Sequence, residues 1–203
     1  MNILSIKQRV ALAIYRIIKK VETVGNQYEV DRIINQFATV GRNCHLLCDN
    51  YLVLGGKYIE IGDNFSVGRC LRFEAIDNYA LNNYHPQIII GNNVRLEDFC
   101  HIGCIEKITI GNNVLIASKV FITDHLHGSI TKNDIDVPPT KRSLSSKPVH
   151  IGDNVWIGEN VTILPGVILG NNVIVGANAV VTHSFPANTV IAGCPAKIIK
   201  ALG

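Results

Sequence analysis

The chain has 203 residues, a formal net charge of +3, 17% charged residues and 47% apolar ones. That is enough chain for one domain with a sizeable core, too apolar for disorder and too mildly basic to argue for a nucleic-acid partner. It holds no apolar run of about 18 residues, so no spanning helix is expected.

The N-terminus lacks the apolar stretch and cleavage site of a signal peptide. Six cysteines (Cys44, Cys48, Cys70, Cys100, Cys104 and Cys194) form no Cys-x-x-Cys pair. The expectation is reduced thiols acting as small buried hydrophobes in a cytoplasmic chain.

In chain order, the first signal is helical. Ile3, Ile6, Val10, Ile14, Ile17 and Val21 recur at helical spacing and predict an amphipathic helix over 3–22, with a second over 27–37. Lys7, Arg9, Arg16, Lys19 and Lys20 all precede the first acid, Glu22. Two expectations stand for this basic segment: a cap or brace on the following domain, or a peripheral contact with an anionic membrane. The expected organisation is a helical segment over 1–37 and a β domain over 38–203.

From there the pattern changes period. Aliphatic residues fall every sixth position at Ile151, Ile157, Ile163, Leu169, Val175 and Val181. Neither a helix nor a long alternating strand has that period. Short strands joined by tight turns do, with one inward aliphatic residue per side of a triangular coil. Ile-Gly-(Asp/Asn)-Asn opens a coil at Ile61, Ile90, Ile110 and Ile151, and Leu169 opens another. The predicted coils are Ile61/Val67/Phe73, Ile90/Leu96/Ile102, Ile110/Ile116/Ile122, Ile151/Ile157/Ile163 and Leu169/Val175/Val181. Partial coils are expected at Val40 and Ile191. Gly and Asn at the corners are expected to supply the positive φ of tight turns. The predicted fold is an all-β solenoid, a parallel β-helix stabilised coil against coil.

Coil lengths are uneven at one corner only. The third face reaches the next first face in 6 residues at Ile163–Leu169, but takes 17 from Phe73 to Ile90 and 29 from Ile122 to Ile151. The resulting excursions, 74–89 and 123–150, leave from one edge, where a solenoid usually builds its binding surface.

The stretch IGNNVLIASKVFITDHLHG and the later PVHIGDNVWIGENVTILPGVILGNNVIVGANAVVTHSFPANTVIAGCPAKIIK resemble the hexapeptide-repeat acetyltransferases. The likeness is to the branch of maltose, galactoside and polysaccharide O-acetyltransferases. The resemblance implies a left-handed β-helix, a homotrimer, and acetyl-CoA bound between neighbouring subunits, with no metal. It implies a sugar or polysaccharide acceptor. The family's catalytic base aligns with His127, and His125 lies two residues before it in Asp124-His125-Leu126-His127. A histidine suits that task because it titrates near neutral pH and needs a partner to fix its tautomer. Asp124, a loop carbonyl or the other histidine are the candidate partners.

For the donor, the resemblance implies Trp156, Glu159, Ala177, Thr182, His183, Lys197 and Lys200. Two of these depart from the family: His183 stands where Lys is usual, and Glu159 where a small polar residue is. For the acceptor, Glu97 falls at a position usually occupied by Asn. Arg72 and Tyr84, with Tyr79 and His85 in the first excursion, are candidate sugar contacts, and Asp124 is counted with them. Three rival readings remain: an N-acetyltransferase acting on an amino sugar, a zinc carbonic anhydrase using His101, His125 and His127, and a non-catalytic scaffold.

Overall fold

The computed structural model describes residues 5–47, 51–128, 134 and 136–202, and divides into two units after Asn35. Ile3 of the expected helix, Cys48, and 129–133 and 135 of the second excursion lie outside the described residues.

The first unit is a single α-helix, Ile6–Ile34. Ser5 opens it with a capping box: the Ser5 hydroxyl accepts from the Gln8 N–H, and Gln8 Oε1 accepts from the Ser5 N–H at 2.8 Å. The two helices expected over 3–22 and 27–37 are thus one. Gly25 sits inside it, and an interior glycine costs about 1 kcal/mol relative to alanine. Pairs four and three residues apart on the turns after it oppose the cost: Gln27 to Asp31 at 2.8 Å and Arg32 to Glu29 at 2.8 Å. Among the described residues no helix is long and apolar enough to cross a membrane.

The second unit is a left-handed parallel β-helix. Its three faces are parallel sheets of six, eight and six strands, the last pair in the second face being antiparallel. On the first face Val40 pairs with Ile61, Ile61 with Ile90, Ile90 with Ile110, Ile110 with Ile151, and Ile151 with Leu169. The second runs Val67, Leu96, Ile116, Ile157, Val175, Ile191, and the third Phe73, Ile102, Ile122, Ile163, Val181. Every coil and both partial coils have the predicted register. From Ile61 onward these residues are at most 3% exposed, so the aliphatic columns are the core.

The corners divide labour differently from the sequence expectation. At the turn between the first and second faces, positive φ belongs to asparagine alone: Asn43, Asn64, Asn93, Asn113, Asn154, Asn172 and Asn188 lie between 56° and 60°. Their side chains form a ladder, each Nδ2 donating to the next Oδ1, from Asn43–Asn64 at 3.2 Å to Asn172–Asn188 at 2.7 Å. The preceding glycine serves closeness instead. A Cβ on Gly62 would stand 2.7 Å from the Gly91 backbone, inside contact distance.

Cys100 and Cys104 are buried, and burial pushes the Cys100 thiol up to about 11. Cys194 is exposed, contrary to the expectation that all the thiols pack inside.

Candidate active site

Inward placement of Phe73, Ile102 and Ile122 forces their neighbours outward on the third face. Arg72, His101 and Phe121 therefore stack in one row, and Glu74, Gly103 and Thr123 in the next. Both excursions leave just beyond these rows. The first contains a hairpin of Asn78–Tyr79 and Asn82–Asn83, turned by Ala80 and Leu81 at φ 46° and 69°. The second pairs His125–His127 with Leu144–Ser146 antiparallel.

The excursions brace one another. The Tyr84 hydroxyl accepts the Leu144 N–H at 2.9 Å, Asn82 Nδ2 donates to Ser143 Oγ at 3.1 Å, and the Tyr79 hydroxyl donates to the Thr140 carbonyl at 3.3 Å. Between them and the third face opens a cavity of about 400 Å³, lined by Arg72, Glu74, Tyr79, His101, His125 and His127 among others.

Its three histidines are held differently. His101 Nε2 lies 2.7 Å from Glu74 Oε2, while Arg72 Nη2 donates to Glu74 Oε1 at 3.0 Å. The His101 ring also stacks on Phe121, with centroids 4.8 Å apart. Burial pushes the His101 pKa down, and the hydrogen bond to the Glu74 carboxylate only partly offsets this. His125 Nδ1 lies 3.0 Å from Asp124 Oδ1. The His127 ring meets Tyr79 edge-on at 5.2 Å, and no hydrogen bond engages either of its nitrogens among the described residues.

Asp124 explains why the second excursion starts where it does. Its carboxylate is fully buried and accepts the backbone N–H groups of Ile105, Glu106 and Lys107 at 2.9, 2.8 and 2.8 Å. Those donors belong to the tight corner of the coil beneath, so one carboxylate satisfies a whole turn. Burial opposes its ionisation, but hydrogen bonds from His125, the Glu106 and Ile105 amides and Cys104 hold its carboxyl below the usual range.

Several expected site residues are also engaged within the chain. Asp124 is buried, anchors the Ile105–Lys107 turn and lies against the His125 ring. The Tyr84 hydroxyl accepts the Leu144 amide, a bracing role that leaves its own O–H to donate. Glu97 pairs with Arg95 at 2.6 Å and lines a separate cavity of about 210 Å³ on the second face, with Ser66 and Asp98. Arg72 does reach the histidine cavity.

None of the expected donor residues lines that cavity in its own chain. Trp156 stands on the second face, 51% exposed, between Leu115 and Ile174. Glu159 and Ala177 occupy successive turns between second and third faces, where the Glu159 carbonyl accepts from Asn178. The Ala177 amide makes no backbone hydrogen bond among the described residues, which leaves it available to a ligand. Thr182 and His183 touch at 3.2 Å at the third corner, and Lys197 and Lys200 are exposed on the closing strand, Ala196–Ala201. The sequence reading missed Glu74 and treated His101 only as a zinc candidate. Among the described residues no three His, Cys, Asp or Glu side chains are placed to hold a metal.

Residues 148–183 match the family described as bacterial transferase hexapeptide (six repeats). The chain is 48% identical over 163 residues, 78% of its length, to a putative lipopolysaccharide biosynthesis O-acetyl transferase, WbbJ, of Escherichia coli K12, covering 80% of that protein. A galactoside acetyltransferase solved with coenzyme A superposes with a TM-score of 0.55 at 29% identity, over 84% of this chain and 68% of that one. An N-acyltransferase, AntD, of Bacillus cereus, solved with dTDP and 3-hydroxybutyryl-CoA, superposes with a TM-score of 0.69 over 87% and 88% of the two chains. At 21% identity that last likeness speaks for the fold alone.

Proposed function

This chain belongs to the hexapeptide-repeat acetyltransferases, acyl-CoA-dependent enzymes, and on that premise we propose that it moves an acetyl group from acetyl-CoA directly to a hydroxyl of a sugar or surface polysaccharide, with His127 as general base. The observation that carries this assignment is the state of the three cavity histidines. His101 and His125 each commit one ring nitrogen to a buried carboxylate within the chain, whereas His127 is exposed and no hydrogen bond engages either of its nitrogens among the described residues. One ring nitrogen open to the reactants is what a base needs to take a proton from one and give it to the other, and His127 offers it on the exposed rim of the cavity.

In the proposed reaction His127 removes the acceptor O–H proton as the oxygen attacks the thioester carbonyl. The C–S bond then breaks, the imidazolium returns the proton to the departing thiolate, and the products are an acetyl ester and free CoA. A positioned base of this kind contributes about 100-fold or more. No covalent enzyme intermediate is required.

The donor residues lie outside the histidine cavity of their own chain, which supports a trimer in which one subunit's Trp156 and Ala177 surface meets the next subunit's cavity. Lys197 and Lys200 would then meet the CoA phosphates as flexible point charges, with His183 taking the place of the usual lysine.

The test is release of free CoA thiol from acetyl-CoA by the purified full chain, against sugars, amino sugars and surface-polysaccharide fragments. The expected product is an ester cleaved by mild base. A base-stable amide formed only on amino sugars would replace this reading with N-acetylation, and release independent of any acceptor would remove both.

A further inference from the structure

The helix Ile6–Ile34 carries an apolar pattern that an ordinary amphipathic helix does not need. Val10, Ile14, Ile17, Val21, Val24 and Tyr28 are spaced alternately by four and three residues. That is a seven-residue repeat with two apolar positions, the narrow seam by which helices supercoil around one another. All six side chains are between 52% and 68% exposed. Ile17, Val21 and Val24, with the stem of Lys20, line one apolar groove along the helix.

Composition of the seam selects its occupant. Five of its six residues are β-branched, at both positions of the repeat, and none is leucine. Two-stranded coils favour leucine at the second position, whereas β-branched residues at both shift the preference to three or four strands. At 100° per residue, Lys19, Leu12 and Tyr15 fall on the side away from the seam, Arg9 and Arg16 on its flank, and Lys7 and Lys20 nearer to it, so it is the composition of the seam that decides the occupant.

We propose that the N-terminal helices of three copies of this chain associate in parallel along the seam Val10–Tyr28, forming a coiled coil. It rests on the trimer of the preceding reading and adds a second contact between the same subunits. Because the helix and the β-helix are covalently joined, each contact raises the effective concentration for the other.

The test uses the full chain and two pairs of variants. In Val21→Cys the new thiols face each other across the seam, and in Arg16→Cys they point outward. Mild oxidation should link Val21→Cys chains at least about 5-fold more than Arg16→Cys chains, since a disulfide needs Cα atoms within about 7 Å. Ile17→Asp/Val21→Asp should dissociate at a protein concentration at least about 10-fold higher than the unsubstituted chain in sedimentation equilibrium. Arg9→Glu/Arg16→Glu should assemble as the unsubstituted chain does.

Equal cross-linking of the two cysteine variants, or a trimer indifferent to the aspartates, would overturn the coil and leave the trimer standing. A monomeric full chain would remove both. Vesicles with anionic lipid provide the remaining arm. Binding that both the aspartate and the glutamate pairs abolish, with no effect of either on mass, would give the seam to the membrane instead.

Discussion

Tyr79 and His127 come from different excursions and meet edge to face, their ring centroids 5.2 Å apart. The contact fixes the direction of a ring that no hydrogen bond holds among the described residues. His127→Ala should therefore lower kcat by at least about 100-fold while leaving CoA affinity unchanged by calorimetry. Tyr79→Ala should lower kcat by a smaller factor, and Tyr79→Phe should keep most of the activity because it retains the ring. If His125→Ala is dead and His127→Ala active, the base is the histidine that Asp124 orients.

Glu74 organises the opposite wall of the cavity through Arg72 and His101. Glu74→Gln preserves volume but removes the charge that both partners address. Losing hydrogen bonds to a charged group costs about 1.5–3 kcal/mol, so the acceptor KM should rise by about 10-fold or more. The KM for acetyl-CoA should not move, and steady-state kinetics with each substrate varied in turn separates the two.

Asp124 makes the acid limb of stability specific to one residue. Its folded pKa lies below the ordinary value, so its contribution is complete above about pH 4 and disappears as pH falls through the lower folded value. Asp124→Asn should lose about 1.5–3 kcal/mol at pH 7, because an amide offers one acceptor oxygen to several donors. The gap in Tm between the two proteins should narrow below about pH 4. His101, whose folded pKa is also lowered, weakens both proteins alike as pH falls below about 6.5. Thermal melts from pH 3 to 7 measure both effects.

The hairpin turn Ala80–Leu81 places two ordinary residues in the left-handed region, with Leu81 99% exposed at the tip. Such a residue costs roughly 1–2 kcal/mol, and Asn-Gly is the pair this turn prefers. Ala80→Asn/Leu81→Gly should raise the melting temperature. An unchanged or lower Tm would mean that the tip's conformation is supplied by a partner surface.

The coil register was legible because hydrophobic spacing is a one-dimensional signal, and a run such as Ile90, Leu96, Ile102 states which way every neighbour points. By that logic Glu74 and His101 were already adjacent on the outer third face. They went unnoticed because 27 residues and an irregular excursion separate them in sequence. Asp124 has a second task that the motif does not show: beside two histidines a carboxylate reads as chemistry, and only the amides of Ile105, Glu106 and Lys107 that donate to it reveal what it satisfies. The glycine two residues before every corner asparagine except Asn188 serves close approach and not positive φ, a task hidden from the sequence because crowding from the next coil cannot be read within one coil. The helices expected over 3–22 and 27–37 are one because the glycine between them, Gly25, costs only about 1 kcal/mol and does not enforce a break.

The asparagine ladder stands at one corner of the triangle, and the excursions leave from another. Length can therefore change at the working edge without shifting the pairing that holds the column upright, because each coil closes its backbone bonds with its neighbours whatever the detour. The parts of these excursions outside the coil strands, 76–87 and 124–148, are expected to tolerate exchange or trimming as cassettes, provided Asp124 keeps its three amides. What the enzyme acts on and how firmly it stands are then inherited separately, so its choice of acceptor can diverge while the scaffold stays the same.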